Sequence, residues 1–178
     1  VRLGARWHEH QQQTHSAHAR GSCIMVPADL ITESRVLSHC EAASKKRLLE
    51  TLAALLADGD GMLSSTIVFD RLLERERLGS TGLGQGIALP HARVGGIRAP
   101  IGAFVRLRGA VAFDAIDDKP VDLAFGLLVP DATNEQHLQL LATLAAAFDD
   151  AAVRRALRAA DSSADLLAVF RERVFVVT

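Results

Sequence analysis

The sequence predicts a single α/β domain in which helices flank a mixed β-sheet. Three observations carry this expectation. Segments with helical apolar spacing lie before, between and after strand-like ones. Residues 121–129 are almost continuously apolar, the pattern of a central strand covered on both faces. Residues 101–107 set Ile101, Ala103, Val105 and Leu107 against Gly102, Phe104 and Arg106, so this strand has two distinct faces. The 178 residues suit one domain with a substantial core. Aromatic residues make up only 4%, so Leu, Val, Ile and Ala must build most of that core.

The elements follow in order. Residues 1–24 hold His8, His10, His15 and His18, a glutamine run and little apolar periodicity. They read as a disordered leader, with the domain running over 25–178 from Met25. A flexible tract of this kind supplies no fixed geometry for a metal. Ser44 caps a helix over about 45–58, with Leu48, Leu52, Leu55 and Leu56 on one face and Leu49 beside it. Glycines at 59 and 61 end it. A second helix over about 65–77 buries Val68, Phe69, Leu72 and Leu73, and Arg75 and Arg77 suit its negative end. A glycine-rich turn over 79–86 leads to the apolar run Ile87-Ala88-Leu89 and then Pro90-His91.

Residues 111–113 read as a further short strand, and the short link from Val105 to Phe113 suggests a hairpin, hence a mixed sheet. Thr133 and Gln136 have capping-box spacing and open a helix whose Leu138, Leu141, Leu144, Ala145 and Phe148 face the core. Asp149 or Asp150 caps the next helix through Val153 and Leu157. Ser162 and Asp165 start another before Leu166, Leu167 and Phe170. The tail over 174–177 reads as a last or edge strand.

Composition excludes several function classes. The formal net charge of −1 supplies no bulk field to attract nucleic acid or anionic lipid. Cys23 and Cys40 make neither a disulfide framework nor a zinc set, and read as free thiols in a reducing compartment. No apolar run approaches the roughly 18 residues that suggest a membrane span. No signal-peptide pattern opens the chain. The expected location is cytoplasmic, with no membrane insertion and no nucleic-acid partner.

Glycines at 79, 82, 84 and 86 allow a tight bend that exposes N–H groups, and such a loop can cradle an anion. It is no nucleotide P-loop, because Gly-Lys-Ser/Thr is missing. It is no dinucleotide fingerprint either, because the order here is helix, loop, strand. A plain connector that reverses the chain remains the alternative. His91 adds chemistry. Pro90 holds Leu89 extended and fixes the approach of the chain. Neutral imidazole is a good nucleophile, and one ring nitrogen can attack phosphorus while a backbone carbonyl holds the other.

The run Arg75-Glu76-Arg77-Leu78-Gly79-Ser80-Thr81-Gly82, continued by Gly84-Gln85-Gly86-Ile87-Ala88-Leu89-Pro90-His91, resembles a known phosphorylation-site signature. It is that of the fructose/mannitol class of IIA proteins of the bacterial phosphoenolpyruvate-dependent phosphotransferase system, closest to the nitrogen-regulatory branch. The blocks over 112–117, 120–122, 127–130 and 137–138 look like the same branch, as do Leu30-Ile31-Thr32 and Ser44-Lys45-Lys46-Arg47. The resemblance spans about residues 29–172. Gln85 stands where Asn is frequent in relatives, and Ala92 where Gly is frequent; neither removes the nucleophile.

The resemblance implies the fructose/mannitol-type IIA fold. It implies that His91 takes a phosphoryl group from a histidine phosphocarrier protein, and that His137 is a second active-site histidine. His137, in the first turns of its helix, lies where free N–H groups and the positive dipole end favour phosphate. Arg75 matches a family arginine facing negative charge, and its planar fork suits phosphate; Arg77 is the alternative. Ser80, Thr81 and Gly82 are candidate phosphate-stabilising residues. No metal and no cofactor is implied. The nitrogen-regulatory branch implies regulated protein partners such as transporters or kinases; the alternative is a sugar-specific IIA component that passes phosphate to a transporter subunit.

Overall fold

The computed structural model describes residues 26–27, 29–58, 63–132 and 135–175. The expected leader, Cys23, Met25, the glycine stop at 59–61, the Thr133 cap and the last residues of the tail lie outside them.

The described elements run β1 (Val36–Cys40), α1 (Lys45–Ala57), α2 (Ser65–Arg77), β2 (Gly82–Gly84), β3 (Ile87–Ala88), β4 (His91–Val94), β5 (Ile101–Val111), β6 (Val121–Pro130), α3 (Glu135–Asp149), α4 (Ala151–Ala159) and α5 (Ser163–Val169). A short 3₁₀ turn over Glu33–Arg35 precedes β1, and a π-helical turn over Phe170–Val174 follows α5. The sheet order is β1-β5-β6-β3-β2, and β4 continues along the same side of β6 as β3. β1 is parallel to β5, β5 antiparallel to β6, and β6 parallel to β3 and β4. The sheet is mixed, as expected.

Helices cover both faces. Val68 and Leu72 of α2, with Leu48, Leu52 and Leu56 of α1, pack against Ala103, Val105, Ala124 and Leu128. On the other face Leu140, Leu144 and Phe148 of α3, Leu157 of α4 and Leu166 of α5 pack against Phe104, Leu123, Phe125 and Leu127. β6 lies between β5 and the β3–β4 line and is buried along nearly its whole length, which is why its sequence is apolar without interruption.

Several expectations are corrected. Residues 101–107 and 111–113 do not form a hairpin; β5 runs unbroken to Val111 and turns back through 112–120 to pair with β6. The inward stripe of α3 is Leu140, Leu144 and Phe148, spaced four apart, while Leu138 is 60% exposed. Of the expected tail strand over 174–177 only Val174 and Phe175 are described, and they close a π turn from Phe170, with Phe175 N–H on the Phe170 carbonyl at 2.9 Å. β1 escaped the sequence reading. It has five residues, and Ser38, His39 and Cys40 break its apolar pattern.

The caps hold. The Ser44 hydroxyl accepts from Arg47 N–H, and Asp150 accepts from Ala152 N–H. Ser162 and Asp165 satisfy each other's backbone N–H in a full capping box. Ser162→Ala is expected to cost about 1 kcal/mol of stability. Urea unfolding of the two proteins measures it.

Candidate phosphorylation site

Residues 82–88 form a small antiparallel hairpin, β2 against β3. Its turn needs glycine: Gly86 has φ +81°, and a Cβ there would collide with Arg158 and Asp122. A Cβ on Gly82 would lie 2.7 Å from Ala115. Asp117 accepts from Gln85 N–H at 2.9 Å, and Arg158 donates to the Gln85 carbonyl at 2.7 Å. The glycine-rich segment thus reverses the chain and docks it tightly.

Pro90 separates β3 from β4. It has no N–H to give to the ladder, and its carbonyl accepts from Leu127 N–H at 2.9 Å. His91 opens β4 opposite Leu127 rather than ending the sheet. Partners across parallel strands share a face, so His91 lies on the Leu127 side, the face that α3 covers. α3 begins at Glu135, soon after β6 ends at Pro130. His137, the third residue of α3, is half-buried on that side.

The imidazole is held at both nitrogens. Nδ1 lies 2.8 Å from the Leu89 carbonyl. A carbonyl only accepts, so Nδ1 carries the proton and Nε2 presents a lone pair. Arg75 Nε donates to that Nε2 at 3.3 Å, while Arg75 Nη1 donates to the Gly79 carbonyl at 3.0 Å. Arg75 stands on α2, below the opposite face, and β4 is paired with β6 alone among the described strands. The guanidinium therefore reaches His91 around an open strand edge. Burial pushes the His91 imidazole below its ordinary value of 6.5; the Leu89 bond opposes this, and the Arg75 charge adds to it.

Sequence reading brought His91 and Arg75 forward, and the structure sets them in contact. Arg77 is exposed. The Ser80 and Thr81 hydroxyls and the Thr81 and Gly82 N–H groups are engaged in building the loop. The Ser80 hydroxyl donates to the Phe113 carbonyl at 2.8 Å and accepts from Gly82 N–H at 3.1 Å. Thr81 gives both its N–H and its hydroxyl to the Glu76 carboxylate. Glu76 itself went unnoticed in the sequence. Its one signal was a charge at the position four residues after Leu72, where the buried stripe of α2 asks for an apolar residue.

Among the described residues no group of three or more His, Cys, Asp or Glu is placed to hold a metal ion, and no helix is long and apolar enough to cross a membrane. A surface cavity of about 880 Å³, lined by residues including Glu41, Arg47, Glu50 and Arg108, includes none of the site residues above.

Comparison with known proteins agrees with this architecture. Residues 29–173 match the family model described as phosphoenolpyruvate-dependent sugar phosphotransferase system, EIIA 2. A nitrogen regulatory protein of Pseudomonas aeruginosa is 46% identical over 134 residues, covering 75% of this chain and 87% of that protein. One from Escherichia coli K12 is 44% identical over 143 residues, covering 79% and 84%. The crystal structure of the nitrogen regulatory protein IIA-Ntr from Neisseria meningitidis superposes with a TM-score of 0.74 at 42% identity, covering 79% of this chain and 96% of that one. The mannitol IIA of Escherichia coli gives a TM-score of 0.64 at 26% identity, with 78% and 97% covered. With the family match running through nearly all the described residues, and the sheet and helices superposing on two of its solved structures, this chain belongs to the EIIA 2 family of the phosphoenolpyruvate-dependent sugar phosphotransferase system.

Proposed function

We propose that His91 accepts a phosphoryl group on Nε2 from a histidine phosphocarrier protein and hands it on or holds it as a signal. One observation carries this reading: the Leu89 carbonyl holds the Nδ1 proton, so Nε2 is the unprotonated nitrogen, and its lone pair faces the Arg75 guanidinium. In the transfer, the Nε2–phosphorus bond forms as the phosphorus–nitrogen bond of the donor histidine breaks. The donor imidazole leaves with that bond's electron pair, and the Nδ1 proton stays on its bond to Leu89. Such transfer needs positioning and charge stabilisation more than covalent machinery. Arg75 supplies a fixed positive fork at the phosphoryl oxygens. In this reading His137, half-buried near the start of α3, donates to those oxygens. Burial keeps His91 neutral, hence nucleophilic, at neutral pH.

The relatives named nitrogen regulatory protein favour a regulatory role over sugar uptake. In that role the added charge on His91 switches a contact with a regulated protein, such as a transporter or kinase, by desolvation and repulsion. The reading places the protein in the cytoplasm. The test is intact-mass measurement after incubation with phosphoenolpyruvate, the first enzyme of the phosphotransferase system and a histidine phosphocarrier. An acid-labile gain of about 80 Da, located on His91 by fragmentation, is expected. No gain with a demonstrably active carrier would sink the acceptor reading.

A further inference from the structure

We infer that the buried Glu76 and its half-buried partner Lys45 form a positioning pair that sets the orientation and tautomer of His91 through Thr81 and Leu89. This deepens the phosphoryl-acceptor reading of His91 and rests on it for its purpose, though its geometry stands apart from it.

Each member of the pair occupies a place that local rules disfavour. The side chain of Glu76 is only 3% exposed, at a position of α2 that continues the stripe of Val68 and Leu72. A carboxylate is costly there unless fully paired. Lys45 is the first residue of α1, where the helix dipole opposes a cation, and the first turn of α1 holds no acid to offset it. The two meet at 2.8 Å. Lys45 also donates to the Phe113 carbonyl and to Asp114, both at 3.1 Å, and its ammonium lies 4.6 Å from the Phe113 ring centre. Local rules broken together at one spot mark a constraint set elsewhere in the structure.

That constraint is the path to His91. The Glu76 carboxylate accepts from Thr81 N–H, at 3.1 and 3.2 Å to its two oxygens, and from the Thr81 hydroxyl. The Thr81 carbonyl accepts from Leu89 N–H at 3.0 Å. The Leu89 carbonyl accepts the His91 Nδ1 proton at 2.8 Å. Leu89 is thus pinned on one side by Thr81 and on the other by the ring of Pro90. Its carbonyl direction, which selects the His91 tautomer, follows from where Glu76 holds Thr81. Arg75, the neighbour of Glu76 on the same last turn of α2, reaches Nε2. One helix end therefore sets both nitrogens of the imidazole.

The test reads the His91 ring nitrogens by ¹⁵N NMR on the unphosphorylated protein, alongside the initial rate of phosphoryl uptake. The wild type is expected to show the Nδ1–H form. Glu76→Ala is expected to raise the Nε2–H population and to slow uptake about tenfold or more. Glu76→Gln, whose amide oxygen still accepts from Thr81 N–H, is expected to keep the Nδ1–H form. Val68→Ala opens a cavity on the same helix and serves as the structural control; it is expected to lower the thermal midpoint without moving the tautomer. A wild-type tautomer in Glu76→Ala, or an equal change in Val68→Ala, overturns the proposal. If Glu76→Ala does not fold, Lys45→Met is read in the same way, and an unmoved tautomer there overturns it too. A wild type with the Nδ1–H signature but no phosphoryl uptake would instead defeat the acceptor reading and leave the pair standing.

Discussion

His91→Ala is expected to abolish phosphoryl uptake, while Arg75→Ala is expected to slow it by roughly 10²-fold, the loss typical of one preorganised charge donor. The difference follows from the roles proposed for the two residues. Without imidazole there is no nucleophile. Without guanidinium the nucleophile remains, but the negative charge gathering on the phosphoryl oxygens has lost a fixed partner. Arg75→Lys should recover only part of the rate, because an ammonium lacks the planar fork and is too short to keep the Gly79 carbonyl and His91 together. Rates of acid-labile label incorporation at fixed donor concentration measure all three.

The pH profile adds a second reading. Uptake requires neutral His91, whose folded pKa is lowered by burial and by Arg75. The wild-type rate should hold its plateau below 6.5 and fall only as pH drops through the lowered value. In Arg75→Ala one lowering influence is gone, so the fall should move to higher pH. Stability follows the same sign. Unfolding returns the imidazole to its ordinary value, so the contribution of His91 is complete above 6.5 and is lost as pH falls through the folded value. An Arg75→Ala profile that moves to lower pH would contradict this electrostatic account.

Phe170→Ala is expected to cost about 3–5 kcal/mol of stability and to lower the thermal midpoint by roughly 6–20 °C. Phe170 is fully buried at the junction of α5 and the π turn. Its ring meets Phe104 at 4.9 Å, edge-on, and Phe125, Phe148 and Phe175 at 5.5, 6.3 and 5.6 Å. Truncation removes the ring from the centre of this cluster and leaves a cavity between two strands and α3, which cannot all close on it. Aromatic pairs prefer edge-on or offset contact, and that geometry is lost as well. Phe175→Ala, at the half-buried rim, should cost distinctly less. Denaturant unfolding separates the two, and equal losses would show that the cluster has no centre.

Local chemistry was legible in the sequence wherever one segment carried its own signal. Ser44, Asp150 and Ser162 could be read as caps because a cap is a contact between residues two or three apart. β6 could be read as central because burial on both faces leaves no polar position. His91 stood out as a nucleophile behind Pro90, and Arg75 as a cation at a helix end. What the sequence could not reveal depends on residues far apart along the chain. β1 is a strand because β5 pairs with it, not because its five residues insist on it. Leu140 displaced Leu138 from the core because the rotation of α3 is set by the sheet beneath it, and a helix with apolar residues on several sides does not choose its own inner face. The reach of Arg75 around the β4 edge depends on β4 having no second partner among the described strands. Glu76 looks like a surface charge until the fold carries Lys45, which lies 31 positions earlier in the chain, to within 2.8 Å of it. The sequence by itself determined most of the helices, three of their caps, the central strand and the candidate nucleophile. Only the tertiary structure decided which nitrogen of that imidazole carries the proton, because that follows from the direction of one carbonyl, and hydrogen bonds among distant residues set that direction.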